Sequence, residues 1–221
     1  MIEITMGVTE KNPRVVIGGT FDPVHKGHIR IAEEVHKLFP HAEINFMPAG
    51  IPSHRQTTFA SAEQRLEMLT LALESESNFH IDGREINKTT PSYSIESIEE
   101  IRLQQPEKPL IWVMGRDAFD SLPSWHRATE LAEHCHLLVL ERPGYIDNKD
   151  SLQIHQKLGF SNTDESTELL QQCFGKVIHL CLPMLDISST QVREYLNKEM
   201  STQLLLADKV RAYIHSHKLY H

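Results

Sequence analysis

No stretch of the 221-residue chain stays apolar for more than a few residues, far short of the roughly 20 that a membrane-spanning helix needs. Positive charge is also in short supply. Twenty-two Lys and Arg stand against 30 Asp and Glu, for a net charge of -8. That balance argues against a nucleic-acid binder, which needs a basic face. It leaves room for a small phosphate ligand held by local donors. Cysteine is scarce: Cys135, Cys173 and Cys181 form no CxxC and, being three, cannot all pair. A reducing, cytoplasmic setting is therefore expected rather than secretion. The first residues, MIEITMGVTEKNPR, mix charges early and lack the apolar core of a signal peptide. Repeats and low-complexity tracts are absent. What is present is an ordinary globular composition, 40 % hydrophobic and 24 % charged, which excludes a disordered or fibrous chain. The length suits one domain over residues 1–221 that hides roughly 70 % of its unfolded surface.

Short β-branched runs alternate with helical patterns. Strands are expected at Arg14 to Gly19, Glu43 to Met47, Asn78 to Asp82, Leu110 to Gly115, His136 to Glu141 and Lys176 to Cys181. Their near-continuous hydrophobicity is that of strands covered on both faces. Ser61 with Gln64 reads as a capping box opening a helix whose apolar face carries Leu66, Leu69 and Leu73. A second helix is expected over Ser94 to Gln105, with Ile95, Ile98 and Ile101 in register. A terminal amphipathic helix is expected over 204–219, with Leu206, Val210 and Ile214 inward. The alternation predicts an α/β fold, a Rossmann-like doubly wound parallel sheet with flanking helices. Residues 142–175 fit less well and read as a surface excursion or a lid over the site.

The strongest chemical signal follows the first strand: Gly18-Gly19-Thr20-Phe21-Asp22-Pro23-Val24-His25-Lys26-Gly27-His28. Gly18 and Gly19 would let backbone amides approach a ligand. His25 and His28, three apart at the start of a helix running through Ile31, Val35 and Leu38, can face one side. Unpaired N–H groups and the positive dipole end at that helix start favour an anion. A zinc reading of HxxH has no evident third ligand. A second signal follows the last strand, Ile187-Ser188-Ser189-Thr190-Gln191-Val192-Arg193. Ser188 or Ser189 can cap a helix, with Arg193 one turn further in. Hydroxyls, free amides and a guanidinium there suit polyphosphate oxygens.

GGTFDPVHKGH with a distal ISSTQVR resembles the nucleotidylyltransferase superfamily that carries HxGH and (S/T)xxxR signatures. Further landmarks over nearly the whole chain are similar to bacterial nicotinate-nucleotide adenylyltransferases: PAGIPSHR (Pro48 to Arg55), Pro91-Ser92-Tyr93-Ser94, Gly115-Arg116-Asp117, Pro123-Ser124-Trp125, and Glu141-Arg142-Pro143-Gly144-Tyr145. The resemblance implies transfer of the adenylyl group of ATP to nicotinate mononucleotide, with Mg2+ accompanying ATP and no metal ligand from the protein. It implies catalytic roles for His25, His28 and Arg193, and an ATP site of Gly18, Gly19, Thr20, Phe21, Ser188, Ser189, Thr190 and Arg193. The nicotinate ring would stack on Trp125, with amides of Ser94 and His126 on its carboxylate. Gly115 and Asp117 would meet the ribose, and His54 and Arg55 would form a basic loop near the phosphates. Many relatives carry threonine and tyrosine where this chain has Ser94 and His126. The partners expected are these small molecules, with no nucleic acid and no membrane; no oligomeric state is implied.

The attacking phosphate is already ionised at neutral pH, so no general base is required, and neither motif offers one. Asp22 is expected to orient its loop or cap the helix, Trp112 to sit in the core, and His215, His217 and His221 to be plain surface residues. Competing readings are a nicotinamide-nucleotide or phosphopantetheine adenylyltransferase, or a non-catalytic nucleotide sensor. The PSYS and PSW landmarks speak against the phosphopantetheine enzyme, and the intact histidines and Arg193 against the sensor.

Overall fold

The computed structural model describes residues 12–52, 58–141 and 151–220. Its strands are β1 (Arg14–Gly19), β2 (Glu43–Pro48), β3 (Ile51–Pro52), β4 (Phe79–Ile81), β5 (Pro91–Ser92), β6 (Leu110–Gly115), β7 (His136–Leu140), β8 (Ser161–Asn162) and β9 (Lys176–Leu180). The helices are α1 (Lys26–Leu38), α2 (Ala62–Leu73), α3 (Ser94–Gln104), α4 (Arg116–Ser121), α5 (Ser151–Lys157), α6 (Ser189–Asn197) and α7 (Asp208–Ser216). Seven strands form one parallel sheet in the order β4-β2-β1-β6-β7-β9-β8. Its six principal strands, taken in chain order, run 3-2-1-4-5-6, the Rossmann arrangement, in which ligands bind outside the carboxyl ends where the order reverses. Here that point lies between β1 and β6. All six expected strands are present, with ends shifted by no more than a residue or two. The two-residue strands β3, β5 and β8 are too short to leave a hydrophobic pattern.

Alternation along the strands divides the core. Val15 and Ile17 face the layer of α1, α2, α6 and α7, against Val35, Leu69, Val192 and Ile214. Val16 faces the layer of α3 and α4, against Ile98, Phe119 and Leu122. Each such fully buried aliphatic side chain contributes about 1.5–3 kcal/mol.

Two expectations change in detail. In α2 the Ser61–Gln64 capping box forms as read, but Leu66 is only half-buried, and the inner face is Arg65, Met68, Leu69 and Leu73. The terminal helix starts at Asp208, not Leu204. Residues before it bend so that the Leu205 carbonyl accepts the N–H of Lys26 at 2.9 Å and that of Thr202 accepts from Leu205 and Leu206. Leu206, Val210 and Ile214 are buried as expected. Residues 151–175 build α5, a 3-10 turn at Ser166–Leu170 and the edge strand β8 on β9. They bury Leu158, Phe160 and Leu169 against the sheet. Residues 142–150 of the suggested lid lie outside the described residues.

Candidate active site

α1 begins with His25 as its N-cap. The rings of His25 and His28 stack with centroids 3.7 Å apart. Gly27 is required between them, because a Cβ there would come within 2.9 Å of the His25 ring. The His25 N–H donates to His28 Nδ1 at 3.2 Å, so in the neutral His28 ring the proton sits on Nε2, ready to donate. The Phe21 ring, edge-on to His28 at 4.9 Å, holds it from the core side. Burial pushes His25 down to about 4. Burial, and then the neighbouring His25, hold His28 well below the ordinary histidine range. Both imidazoles are therefore neutral at pH 7 before a ligand arrives.

The backbone donors expected at this helix start are partly spent: Lys26 N–H bonds to Leu205 O and His28 N–H to His25 O. Gly18 and Gly19 have a packing role besides the one expected of them. A Cβ on Gly18 would meet the Trp112 ring at 3.0 Å, and one on Gly19 the Phe21 ring at 3.1 Å. These glycines admit aromatic side chains. Phe21 itself is 2 % exposed and takes a left-handed backbone (φ 51°).

α6 closes the cleft from the other side. Ser188, not Ser189, is the cap, its Oγ accepting from Gln191 N–H. Ser189 Oγ instead donates to the Pro23 carbonyl at 3.0 Å. Arg193 Nη1 donates to the Asp22 carbonyl at 2.7 Å and Nη2 to Thr190 Oγ1 at 3.1 Å. The two distant motifs thus meet directly: two imidazoles, two helix N-termini, hydroxyls and a guanidinium.

Beside this cleft, at the switch point, lies a cavity of about 410 Å³. Gly18, Gly19 and Thr20 form one wall, and Gly115 and Asp117 a second. Ser94, Trp125 and His126 form a third. Ser94 opens α3, where the first backbone N–H groups lack helical partners. The Tyr93 and His126 rings pack tilted against each other, with centroids 4.4 Å apart. Trp112 is buried in the core as expected and also lines the cavity. His54 and Arg55 lie outside the described residues. His25, His28, Ser188, Ser189, Thr190 and Arg193 belong to the cleft rather than to the cavity lining.

Arg65 is a residue that motif reading passes over. It is fully buried, and its guanidinium donates to the carbonyls of Thr20, Ala49 and Gly50 at 2.6–2.7 Å. It pins the loops after β1 and β2 together. The available signal was an arginine in the apolar register of α2. Tyr220 and Phe59 also reach the cleft and leave no mark in the sequence pattern. Among the described residues no group of three His, Cys, Asp or Glu could hold a metal ion.

The cytidylyltransferase-like family profile matches residues 16–195. A "probable nicotinate-nucleotide adenylyltransferase" of Hahella chejuensis is 40 % identical over 213 residues, 96 % of this chain and 97 % of that protein. The chain belongs to the nicotinate-nucleotide adenylyltransferase family. A second member, from Serratia proteamaculans, is 37 % identical over 93 % of this chain and 94 % of its own. The nicotinic acid mononucleotide adenylyltransferase of Plasmodium falciparum, solved with NaAD, shares the fold with a TM-score of 0.72 at 17 % identity, over 95 % of this chain and 97 % of that one.

Proposed function

We infer that the protein transfers the adenylyl group of ATP to nicotinate mononucleotide, giving nicotinate adenine dinucleotide and pyrophosphate in NAD biosynthesis. The observation that carries the reading is the continuity of one strand end. Gly18 to Thr20 line the cavity, and the residues directly after them build the cleft of His25, His28 and Arg193. The acceptor in the cavity would present its phosphate to ATP held in the cleft. An acceptor phosphate oxygen attacks the α-phosphorus. The bond from that phosphorus to the β-phosphate oxygen breaks, and its electron pair leaves with pyrophosphate. The acceptor phosphate is already ionised, so the protein need not remove a proton. Its work is alignment and electrostatic stabilisation. His28 Nε2–H, with His25 stacked against it, would donate to α-phosphate oxygens. Arg193 and the start of α6 would take the charge of the departing pyrophosphate.

Imidazoles and a guanidinium suit phosphate oxygens better than a hard cation. Mg2+ would therefore come on the β- and γ-phosphates with water ligands, neutralising charge there. Trp125 would stack on the pyridine ring, Asp117 and Gly115 would meet the ribose, and His54 and Arg55 would add positive charge near the phosphates. The amide of Ser94 sits at a positive helix end, which favours a carboxylate over a neutral carboxamide there. That of His126 would be its second donor. Three free cysteines, one of them buried, fit a reducing cytoplasm, and among the described residues no helix is long and apolar enough to cross a membrane. The test is pyrophosphate release from ATP and Mg2+ with nicotinate or nicotinamide mononucleotide. Faster release with the nicotinate acceptor is expected. A preference for nicotinamide would overturn the role given to the α3 terminus, and no release with either would overturn the reaction.

A further inference from the structure

The carboxylate of Asp22 is 2 % exposed in the middle of the phosphate cleft, and the mechanism above gives it no chemical task. Three donors hold it. The N–H of Phe59 reaches Oδ2 at 2.8 Å, and the N–H of Ala60 reaches Oδ1 at 3.1 Å. The phenol of Tyr220 donates to Oδ1 at 2.7 Å from 198 residues away. The tail that brings Tyr220 there is wound into place. Leu219 N–H closes back on Ile214 O at 3.1 Å, and Leu219 is 9 % exposed. Lys218 and Tyr220, on either side of it, both take left-handed backbone (φ 50° and 67°), which non-glycine residues adopt only when their surroundings enforce it.

Arg193 completes the junction. Its guanidinium donates to the Asp22 carbonyl at 2.7 Å and lies over the Phe59 ring, 4.6 Å from the centroid. The Phe59 and Tyr220 rings are themselves 6.4 Å apart. A buried carboxylate that loses a donor is left under-satisfied and draws on charged donors around it, and Arg193 already donates to the backbone carbonyl of the same residue. An Arg193 drawn onto the carboxylate would be neutralised and displaced from the phosphates.

We propose that Tyr220 is a positioning residue for adenylyl transfer: by filling the Asp22 carboxylate it keeps the charge of Arg193 free for the triphosphate. Phe59 and Ala60 fix the same carboxylate from the segment that enters α2, so three separate parts of the chain converge on one aspartate. The proposal rests on the nucleotide-binding reading of this cleft, and it concerns affinity for ATP rather than for the acceptor.

The test measures binding of the α,β-methylene analogue of ATP by calorimetry. It uses the wild type, Tyr220→Phe, Arg193→Lys and the double variant, below all their melting transitions. Tyr220→Phe should weaken binding by about threefold to tenfold, the worth of one buried hydrogen bond. It should leave the Michaelis constant for nicotinate mononucleotide unchanged and the melting temperature close to wild type. In the Arg193→Lys background the same substitution should have no further effect, because the tyrosine acts through that arginine. Unchanged analogue binding by Tyr220→Phe, or the same loss with and without Arg193, overturns the proposal. Analogue binding by a wild type that releases no pyrophosphate overturns the functional reading alone. A wild type that binds no analogue overturns both.

Discussion

The chemistry rests on side chains whose neutral state is set by burial. His25 and His28 stack 3.7 Å apart, too close for both to carry charge in a desolvated site, and burial takes His25 to about 4. Two neutral donors suit a step in which the nucleophile arrives ionised and the negative charge moves toward the leaving group. His28→Ala removes the Nε2–H donor and should lower kcat by about a hundredfold or more, the usual loss for a transition-state donor. The melting temperature should fall much less than turnover, since His28 is only half-buried. Steady-state kinetics beside a thermal melt checks this; near-normal turnover would remove the assignment. The HxGH spacing was readable in the sequence because two histidines and a glycine after a strand are a dense local signal. The reason for the glycine was not. It lies in a 2.9 Å approach to a ring, which only coordinates reveal. Arg65 was missed for the same reason: its partners are three backbone carbonyls, and carbonyls carry no sequence signature.

At the scale of elements, helix starts do the recognising. α1 and α6 converge on one cleft, where the proposed reaction puts the phosphates, and α3 brings Ser94, its first residue, to the cavity. If the acceptor's carboxylate is held by the α3 backbone and its ring by Trp125, substitutions should divide accordingly. Trp125→Ala should raise the Michaelis constant for nicotinate mononucleotide several-fold more than that for ATP, from lost ring contact worth on the order of 1 kcal/mol beyond burial. Ser94→Ala should be nearly silent, because its side chain is not the donor. A large Ser94 effect with a silent Trp125, in kinetics with each substrate varied in turn, would place the acceptor elsewhere. Strands and long helices were legible because burial on both faces and one-sided periodicity leave strong patterns. The register of α7 was not. Leu204 continues the apolar spacing but is 83 % exposed, because the preceding turn is committed to capping Lys26 through Leu205. A long-range hydrogen bond overrode a local pattern there.

Over the whole molecule, the buried histidines link the site to stability. His25 and His136 are each held at about 4 by burial, against about 6.5 in an unfolded chain. Below pH 6.5 the unfolded state takes up protons that the folded state refuses, so stability falls as pH drops from 6.5 toward 4. It falls by up to about 3 kcal/mol for each of these groups. Glu85, pushed up by burial, works in the opposite sense. Asp82, bonded to Arg84 and held low, loses its contribution only below the ordinary carboxylate range. Chemical denaturation at pH 7 and pH 4.5 should show the fall, and His25→Asn should flatten part of it; a wild type equally stable at both would contradict the neutral-histidine picture. The central claim is a single direct transfer between two bound nucleotides, and label transfer tests it most directly. With ATP labelled at the α-phosphate, nicotinate mononucleotide and Mg2+, the label should pass into nicotinate adenine dinucleotide in step with pyrophosphate release, and none should stay on the protein. Pyrophosphate released without labelled dinucleotide, or label retained covalently on the chain, would contradict it.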